Sequence, residues 1–303
     1  MDIPTVDAVM EKQKTWGLSV EDVVKHKLWF VFAFVWIALI AFIYYVPFKW
    51  WWGEWWREES YYSHGILIPI MSGFVVWFNW KRIKKVRVEP SIWGLIIMLP
   101  MMFLNYKAQV SGVASVGGMT LPIMLFGLVL MLFGKSIVRE LLFPIAFLYF
   151  MAVPPTSILE PISFKIQITS TNIAVMGLHL LGLDAVQTGT QIQLPSGLPM
   201  VVGAPCSGFR MLIALLAFTV FFVYMKKGPM WGKLSMAALV LPLSVLANSV
   251  RVLLIALVGE YYGESAMHSF HDYSGYIVLV ITFAVLILIA KVVKCGDFKS
   301  MPV

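Results

Sequence analysis

Long apolar runs alternate with short polar breaks along nearly the whole chain. Leu28 to Val46 is about 20 residues of almost unbroken apolar sequence, the length that crosses a hydrocarbon core. Further runs follow at Tyr61 to Trp80, Ile92 to Tyr106, Met119 to Phe133, Leu141 to Val153, Met211 to Tyr224, Leu234 to Val258 and Tyr273 to Ala290. The pattern predicts an all-α polytopic membrane protein with about eight transmembrane helices. Two stretches break it. Residues 157–182 mix Lys165, Gln167, Thr169, Ser170, Thr171 and Asn172 with Ile162, Phe164, Ile166, Ile168 and Ile173, the composition of an interfacial amphipathic helix or a shallow re-entrant segment. Asp184 to Val202 holds Thr188-Gly-Thr, an alternating Gln-Ile-Gln-Leu and Pro195-Ser-Gly197, which predicts a short extracytoplasmic β-hairpin. Gly112 to Gly118 reads as a flexible loop, and so does the polar stretch Glu260 to Asp272.

Composition sharpens this picture. Sixty per cent of the 303 residues are hydrophobic and 13% are charged, too few charges for a water-soluble domain of this length. The net charge of +7 lies mostly in short connecting segments, where it carries topology and not nucleic-acid binding. Lys81-Arg-Ile-Lys-Lys-Val-Arg87 is the strongest such signal and sets its end of the second span in the cytoplasm. Propagating the spans from there puts both termini in the cytoplasm. Residues 1–27 are then a cytoplasmic lead, 28–292 a membrane-embedded domain and 293–303 a cytoplasmic tail. The polar, long N-terminal lead does not read as a cleavable signal peptide. Between Phe48 and Arg57 lie five tryptophans among charges, the density of an aromatic belt at headgroup depth, with a sugar-stacking platform as the alternative.

The candidate chemistry centres on Val201 to Arg210. Cys206 falls where the polar hairpin segment gives way to an apolar run, so it stands at a helix mouth. The positive end of a helix dipole favours a thiolate there, and Arg210, four residues on, adds a second positive field. The competing reading is a small buried filler. The other cysteine, Cys295, lies far away in a basic tail, which argues against a disulfide framework.

The predicted topology brings other reactive types to the same side of the membrane. Arg251 lies about two turns from the outer end of its span, where an arginine is costly without a partner. Asn248, three residues earlier on the same face, is placed to bond that guanidinium or a substrate. His268 and His271 stand before the last span, and Asp272 is placed to set the tautomer of His271; spacing alone does not choose between the two histidines. His64 opens the second span, either as a site residue or as an interfacial anchor. A thiol, an imidazole and a fixed guanidinium make a nucleophilic acyl-transfer set. His64, His268, His271 and Cys206 offer zinc ligand types, but the chain has no H-E-x-x-H and no paired-cysteine spacing, and Cys206-Ser207-Gly208 at a helix mouth reads better as a nucleophile.

Four blocks together resemble the exosortase/archaeosortase family: Tyr62-Ser-His-Gly65, Cys206-Ser-Gly-Phe-Arg210, Asn248-Ser-Val-Arg251 and Phe270-His-Asp-Tyr-Ser-Gly275. The order and spacing agree from about Trp29 to Lys291, and Pro205 departs from the small or acidic residue expected before the cysteine. The resemblance implies a membrane-embedded cysteine peptidase, a transpeptidase of the bacterial inner membrane, with its site on the extracytoplasmic side. It implies Cys206 as nucleophile, Arg251 as catalytic arginine and His271 as proton carrier, with Arg210 matching the arginine after the cysteine. Its implied partners are secreted proteins with a C-terminal tail (a Pro-Glu-Pro-like motif, a transmembrane helix and a basic cluster), membrane lipids and an envelope or exopolysaccharide acceptor. No cofactor and no metal is implied. The rival reading from another class is a non-enzymatic component of exopolysaccharide assembly or transport.

Overall fold

The computed structural model describes residues 19–25, 27–57, 60–203 and 208–300. Its main helices are α1 (Lys27–Ile43), α2 (Tyr45–Trp56), α3 (Leu67–Phe78), α4 (Trp93–Val110), α5 (Leu121–Phe133), α6 (Lys135–Phe147), α7 (Thr156–Leu180), α8 (Phe209–Met225), α9 (Met230–Tyr262) and α10 (Glu264–Val292). Three short strands, β1 (Val186–Thr188), β2 (Gln191–Gln193) and β3 (Pro199–Val201), lie between α7 and α8. The described chain divides into two compact units, one of residues 65–153 with the segment up to Gly53, the other of Glu54–His64 and Pro154–Ser300.

By length and composition three helices suffice to cross a membrane, Ala114–Phe133, Met230–Tyr262 and Glu264–Val292. The number reaches five if two bent pairs each count as one span: Val31–Ile43 with Tyr45–Trp56, and Lys135–Met151 with Thr156–Leu180. The eight-helix expectation thus exceeds what helix length supports. Hydropathy registers apolar stretches and is blind to the bends that cut them. Ser63–Phe78 and Phe209–Met225 are apolar but shorter than the roughly 20 residues a span needs.

In the first unit, the end of α1 shows how such a bend is made tolerable. A carbonyl freed at a helix break needs a donor when no water is at hand. The Ile43 carbonyl accepts from Asn105 Nδ2 at 3.1 Å and from Gln109 Nε2 at 2.9 Å, both on α4. Beside it, the hydroxyls of Tyr44 and Thr120 are 2.8 Å apart. Trp51, on α2, is fully buried and fills the space that Gly118 leaves open, whereas Trp52 and Trp56 are exposed. The tryptophan cluster is therefore not uniformly an interfacial belt: one of its members is core. The expected loop at Gly112 to Gly118 is largely helical, over Ala114–Met119, because two of its glycines admit close packing instead of marking a turn. The basic segment after α3 also ties down the end of the N-terminal lead, since Lys84 pairs with Glu21 at 3.4 Å and Ser19 bridges to Arg87.

The second unit carries most of the candidate chemistry. The mixed stretch 157–182 forms helix α7, as expected. Its buried positions Leu159, Ser163, Ile166, Ser170, Ala174 and Leu178 recur at helical period. That stripe alternates apolar and serine positions up to Ser170 and is wholly apolar after Thr171. The apolar half joins Ile192, Leu194, Met200 and Val202 of the sheet segment, Val252, Ile255 and Ala256 of α9, and Met267 of α10 in one core. The expected hairpin is present as β1 and β2, antiparallel with Thr188 opposite Gln191, and gains a third strand: β3 pairs antiparallel with β2, Met200 opposite Ile192. Gln187 Nε2 donates to Asn172 Oδ1 at 2.6 Å, and the Ser196 N–H donates to Glu260 at 3.0 Å, so the sheet is held to α7 and to the end of α9.

The stretch Glu260 to Asp272 is not a loop. Helix α9 runs on to Tyr262, Gly263 reverses the chain at φ +82°, and α10 begins at Glu264. A left-handed φ at one glycine suffices for the reversal, so the polar residues that read as loop form the first turns of a helix. The chain end also packs back. Cys295 is fully buried against Gly228 and Gly232, the Lys227 N–H donates to the Asp297 carbonyl at 2.8 Å, and the Lys299 N–H donates to the Met225 carbonyl at 2.8 Å.

One prediction tests the packing of the first unit. A methyl at Gly94 of α4 would run into the backbone of Gly127 and Met131 on α5. Backbone cannot yield as a flexible side chain can, so Gly94→Ala costs about 1–3 kcal/mol. The thermal midpoint in detergent should fall for Gly94→Ala and hold for Gly73→Ala, whose added methyl meets nothing within 4 Å.

Candidate active site

The site is built on α9 and α10, with contributions from the start of α8 and from residues 60–64. Arg251 sits eleven residues before the end of α9, about three turns, a turn deeper than the apolar run alone suggests. It is half-buried and its guanidinium reaches across to α10. Nε donates to Ser274 Oγ at 3.0 Å and Nη2 donates to the carbonyl of His271 at 3.0 Å. Ser274 Oγ itself donates to the same carbonyl at 3.1 Å, closing a triangle of hydrogen bonds. Gly275 leaves the room for it: a Cβ there would lie 3.4 Å from Nη2. A buried arginine needs such satisfaction, and its planar fork lets one side chain hold two directions at once.

His271 is thereby fixed through its own backbone. Its Nδ1 lies 3.3 Å from Asp272 Oδ1. His268, one turn earlier, is exposed and lies 3.7 Å from Glu264 in a solvent-screened pair. Three residues apart on one helix, the two histidines share a face and line the same cavity of about 350 Å³, together with Glu264, Met267, Val252 and Ile255. They differ in that the guanidinium engages the carbonyl of His271.

Asn248 does not serve Arg251 as a partner in any described hydrogen bond. It is buried one turn before it, against Gly208. A Cβ at Gly208 would lie 2.8 Å from both Cβ and Cγ of Asn248, and Gly208 is left-handed at φ +71°. Ser244 Oγ donates to the Gly208 carbonyl at 3.3 Å. Two side chains one turn apart on α9 thus fasten the residue from which α8 starts. Cys206 and Ser207 lie outside the described residues, as does the N-terminal lead up to residue 18. Arg210 is in the first turn of α8, half-buried.

The segment before α3 reaches the same place through Tyr61. Its ring meets Phe209 edge-on, centroids 5.1 Å apart, and its hydroxyl is 3.1 Å from Ser163 Oγ on α7. His64 is buried. Its ring stacks on Tyr62 with centroids 5.7 Å apart, and neither ring nitrogen has a hydrogen-bond partner among the described residues. Tyr61 and Ser163 were not singled out in the sequence, because a lone hydroxyl gives no signal until its partner is known, and Ser274 was legible only as part of the histidine block. Gly208 was legible only as part of the cysteine block. Among the described residues, no three His, Cys, Asp or Glu side chains converge as a metal site requires.

These features define a helical membrane protein whose polar groups gather at the ends of neighbouring helices. The chain belongs to the transmembrane exosortase family, whose model matches residues 55–288. The match takes in all four sequence blocks and leaves out the N-terminal lead, α1 and most of α2. Family membership supports, in general terms, a sorting-transpeptidase role for a membrane protein. No curated protein and no solved structure matches the chain.

The close approach at Gly208 is testable. A side chain there meets both a left-handed backbone, worth about 1–2 kcal/mol, and the body of Asn248. Gly208→Ala should lower the thermal midpoint, and adding Asn248→Gly should recover the steric part but not the backbone part. Midpoints of the two single variants and the double variant measure the coupling.

Proposed function

We propose that this exosortase is a cysteine transpeptidase that cuts C-terminal sorting tails from secreted proteins, with Cys206 as nucleophile, His271 as proton carrier and Arg251 as the fixed cation. The single observation that supports this assignment most is the Arg251 fork on Ser274 and the His271 carbonyl, which ties the guanidinium to the backbone of the histidine that carries the proton in this reading. The substrates are secreted proteins ending in a Pro-Glu-Pro-like motif, a transmembrane helix and a basic cluster, and the tail helix docks laterally in the bilayer. The enzyme works in the bacterial inner membrane with both termini cytoplasmic and its site on the extracytoplasmic side.

In the first half-reaction the Cys206 thiolate adds to the carbonyl carbon of the scissile bond. The imidazolium of His271 gives its proton to the departing amine as the C–N bond breaks, leaving a thioester on Cys206 and releasing the tail. In the second, an amine or hydroxyl of an envelope or exopolysaccharide acceptor, or water, adds to the thioester. His271 takes the proton of that nucleophile and the thiolate leaves. Arg251 keeps its remaining N–H groups for the thiolate or the oxyanion, where a charge in a low-dielectric site is worth most. Asp272 holds Nδ1 of His271. Asn248 and Gly208 position the start of α8. Arg210, Ser207, His268 and His64 complete the surroundings as substrate-binding or supporting groups.

Two measurements test this. Wild-type enzyme given a synthetic tail peptide should form a hydroxylamine-labile thioester, and Cys206→Ala should form none while uncleaved substrate accumulates in the membrane. A functional Cys206→Ala variant would instead favour a non-enzymatic component of exopolysaccharide assembly or transport. His271→Ala should slow turnover by about 10²–10⁴-fold, the usual worth of general acid–base catalysis, and His268→Ala by no more than about threefold. A larger loss at His268 would transfer the proton-carrying role to it. Arg251→Lys should lose most activity, because an ammonium cannot reproduce the two-directional fork.

A further inference from the structure

The outer edge of β3 offers an unused pair of backbone groups to the cavity that His271 lines. In the sheet order β1-β2-β3, one side of β3 pairs with no described strand. The inner side is fixed by its hydrogen bonds. The Val202 N–H donates to the Thr190 carbonyl at 2.9 Å and the Leu194 N–H to the Leu198 carbonyl at 3.0 Å, with Met200 opposite Ile192 between them. By the alternation of an antiparallel ladder, residues 198, 200 and 202 turn their backbone groups to β2, and Pro199 and Val201 turn theirs outward. Proline has no N–H, and the Val201 carbonyl already accepts from the Gly203 N–H at 3.0 Å. With respect to the described residues, what remains on the outer edge is one acceptor, the Pro199 carbonyl, and one donor, the Val201 N–H.

That edge faces the cavity. The four consecutive residues 199–202 all line it. Their side chains alternate between the two faces of the sheet, so a single cavity can touch all four only by running along the strand edge. Across from them stand Val252 on α9 and Met267 and His271 on α10.

We propose that an extended peptide, the substrate segment of the reaction described above, docks here as a fourth strand running parallel to β3; this rests on the transpeptidase reading. An acceptor followed two residues later by a donor is the pattern of parallel pairing. One residue of the incoming strand, opposite Met200, donates its N–H to Pro199 and accepts at its carbonyl from Val201. In an antiparallel partner the same two bonds would fall on two different residues, each left half-paired, whereas a parallel partner satisfies both groups of one residue. The two neighbours of the paired residue turn their backbone groups away from β3, so both positions accept proline. Parallel docking also gives the peptide the same chain direction as the segment that leads on to Cys206. Strand addition of this kind takes affinity from the main chain and specificity from pockets for alternate side chains, here the His271 side of the cavity.

The test uses the full-length Cys206→Ala enzyme in detergent and a fluorescent synthetic peptide, Pro-Glu-Pro followed by an apolar helix, so that binding is read without chemistry. Val201→Pro, added to that background, removes the one outward donor at an edge position where proline is tolerated. It should weaken binding by about tenfold or more, the worth of a hydrogen bond, while Val201→Ala changes it less than about threefold. A probe N-methylated at its glutamate leaves the protein untouched. It should bind the Cys206→Ala enzyme about tenfold more weakly than the parent probe and lose little more on Val201→Pro. Equal binding of the parent probe with and without Val201→Pro, or of the methylated and parent probes, overturns strand addition and leaves the transpeptidase reading standing. Failure of the parent probe to bind at all, together with no thioester on the wild-type enzyme, overturns both.

Discussion

The hydrogen-bonded junction between Arg251 and α10 is the interaction on which the rest of the site depends. A guanidinium cannot be left unsatisfied inside a helix bundle, so the pairing of α9 with α10 must supply acceptors where Arg251 emerges. It does so with a serine hydroxyl and a main-chain carbonyl, not with a carboxylate. With respect to the described residues, the charge is therefore held by neutral acceptors. Because the carbonyl belongs to His271, the same contact fixes the backbone of the residue proposed above as proton carrier.

A second set of contacts holds the chain on either side of Cys206. Downstream, Gly208 is pinned between Ser244 and Asn248, and Phe209 lies against Tyr61. Upstream, β3 is paired to β2, and the sheet is rooted in the core shared by α7, α9 and α10. Elements with defined contacts thus flank Cys206, the nucleophile proposed above.

The sequence made the site's ingredients legible better than it did their framework. Cysteine, arginine and histidine blocks stood out because charged and polar residues are scarce in such apolar sequence, and the structure places Arg251 and His271 together. The β1–β2 hairpin was readable from Thr188-Gly-Thr. The third strand was not, because Pro199 demotes a strand assignment unless the strand is known to lie at an edge. Glu260 to Asp272 read as loop on polarity, whereas a single left-handed glycine lets both helices continue almost to each other. Hydropathy saw Trp51 as one tryptophan among five. Only its contact with Gly118, distant in sequence, makes it core. The packing of Asn248 was not legible for the same reason: its contact with Gly208, forty residues away in sequence, gives no signal along the chain.

The one-residue reversal at Gly263 makes the meeting of Arg251 with His271 a matter of angular phase as well as of residue identity. Each added residue on either helix swings everything between it and the turn by about 100° relative to everything beyond. One insertion between Arg251 and Gly263, or between Gly263 and His271, would therefore aim the guanidinium away from its carbonyl even with every side chain retained. Relatives that keep the arginine and histidine blocks should accordingly keep the count of residues separating them, and variation in spacer length should fall elsewhere in the chain.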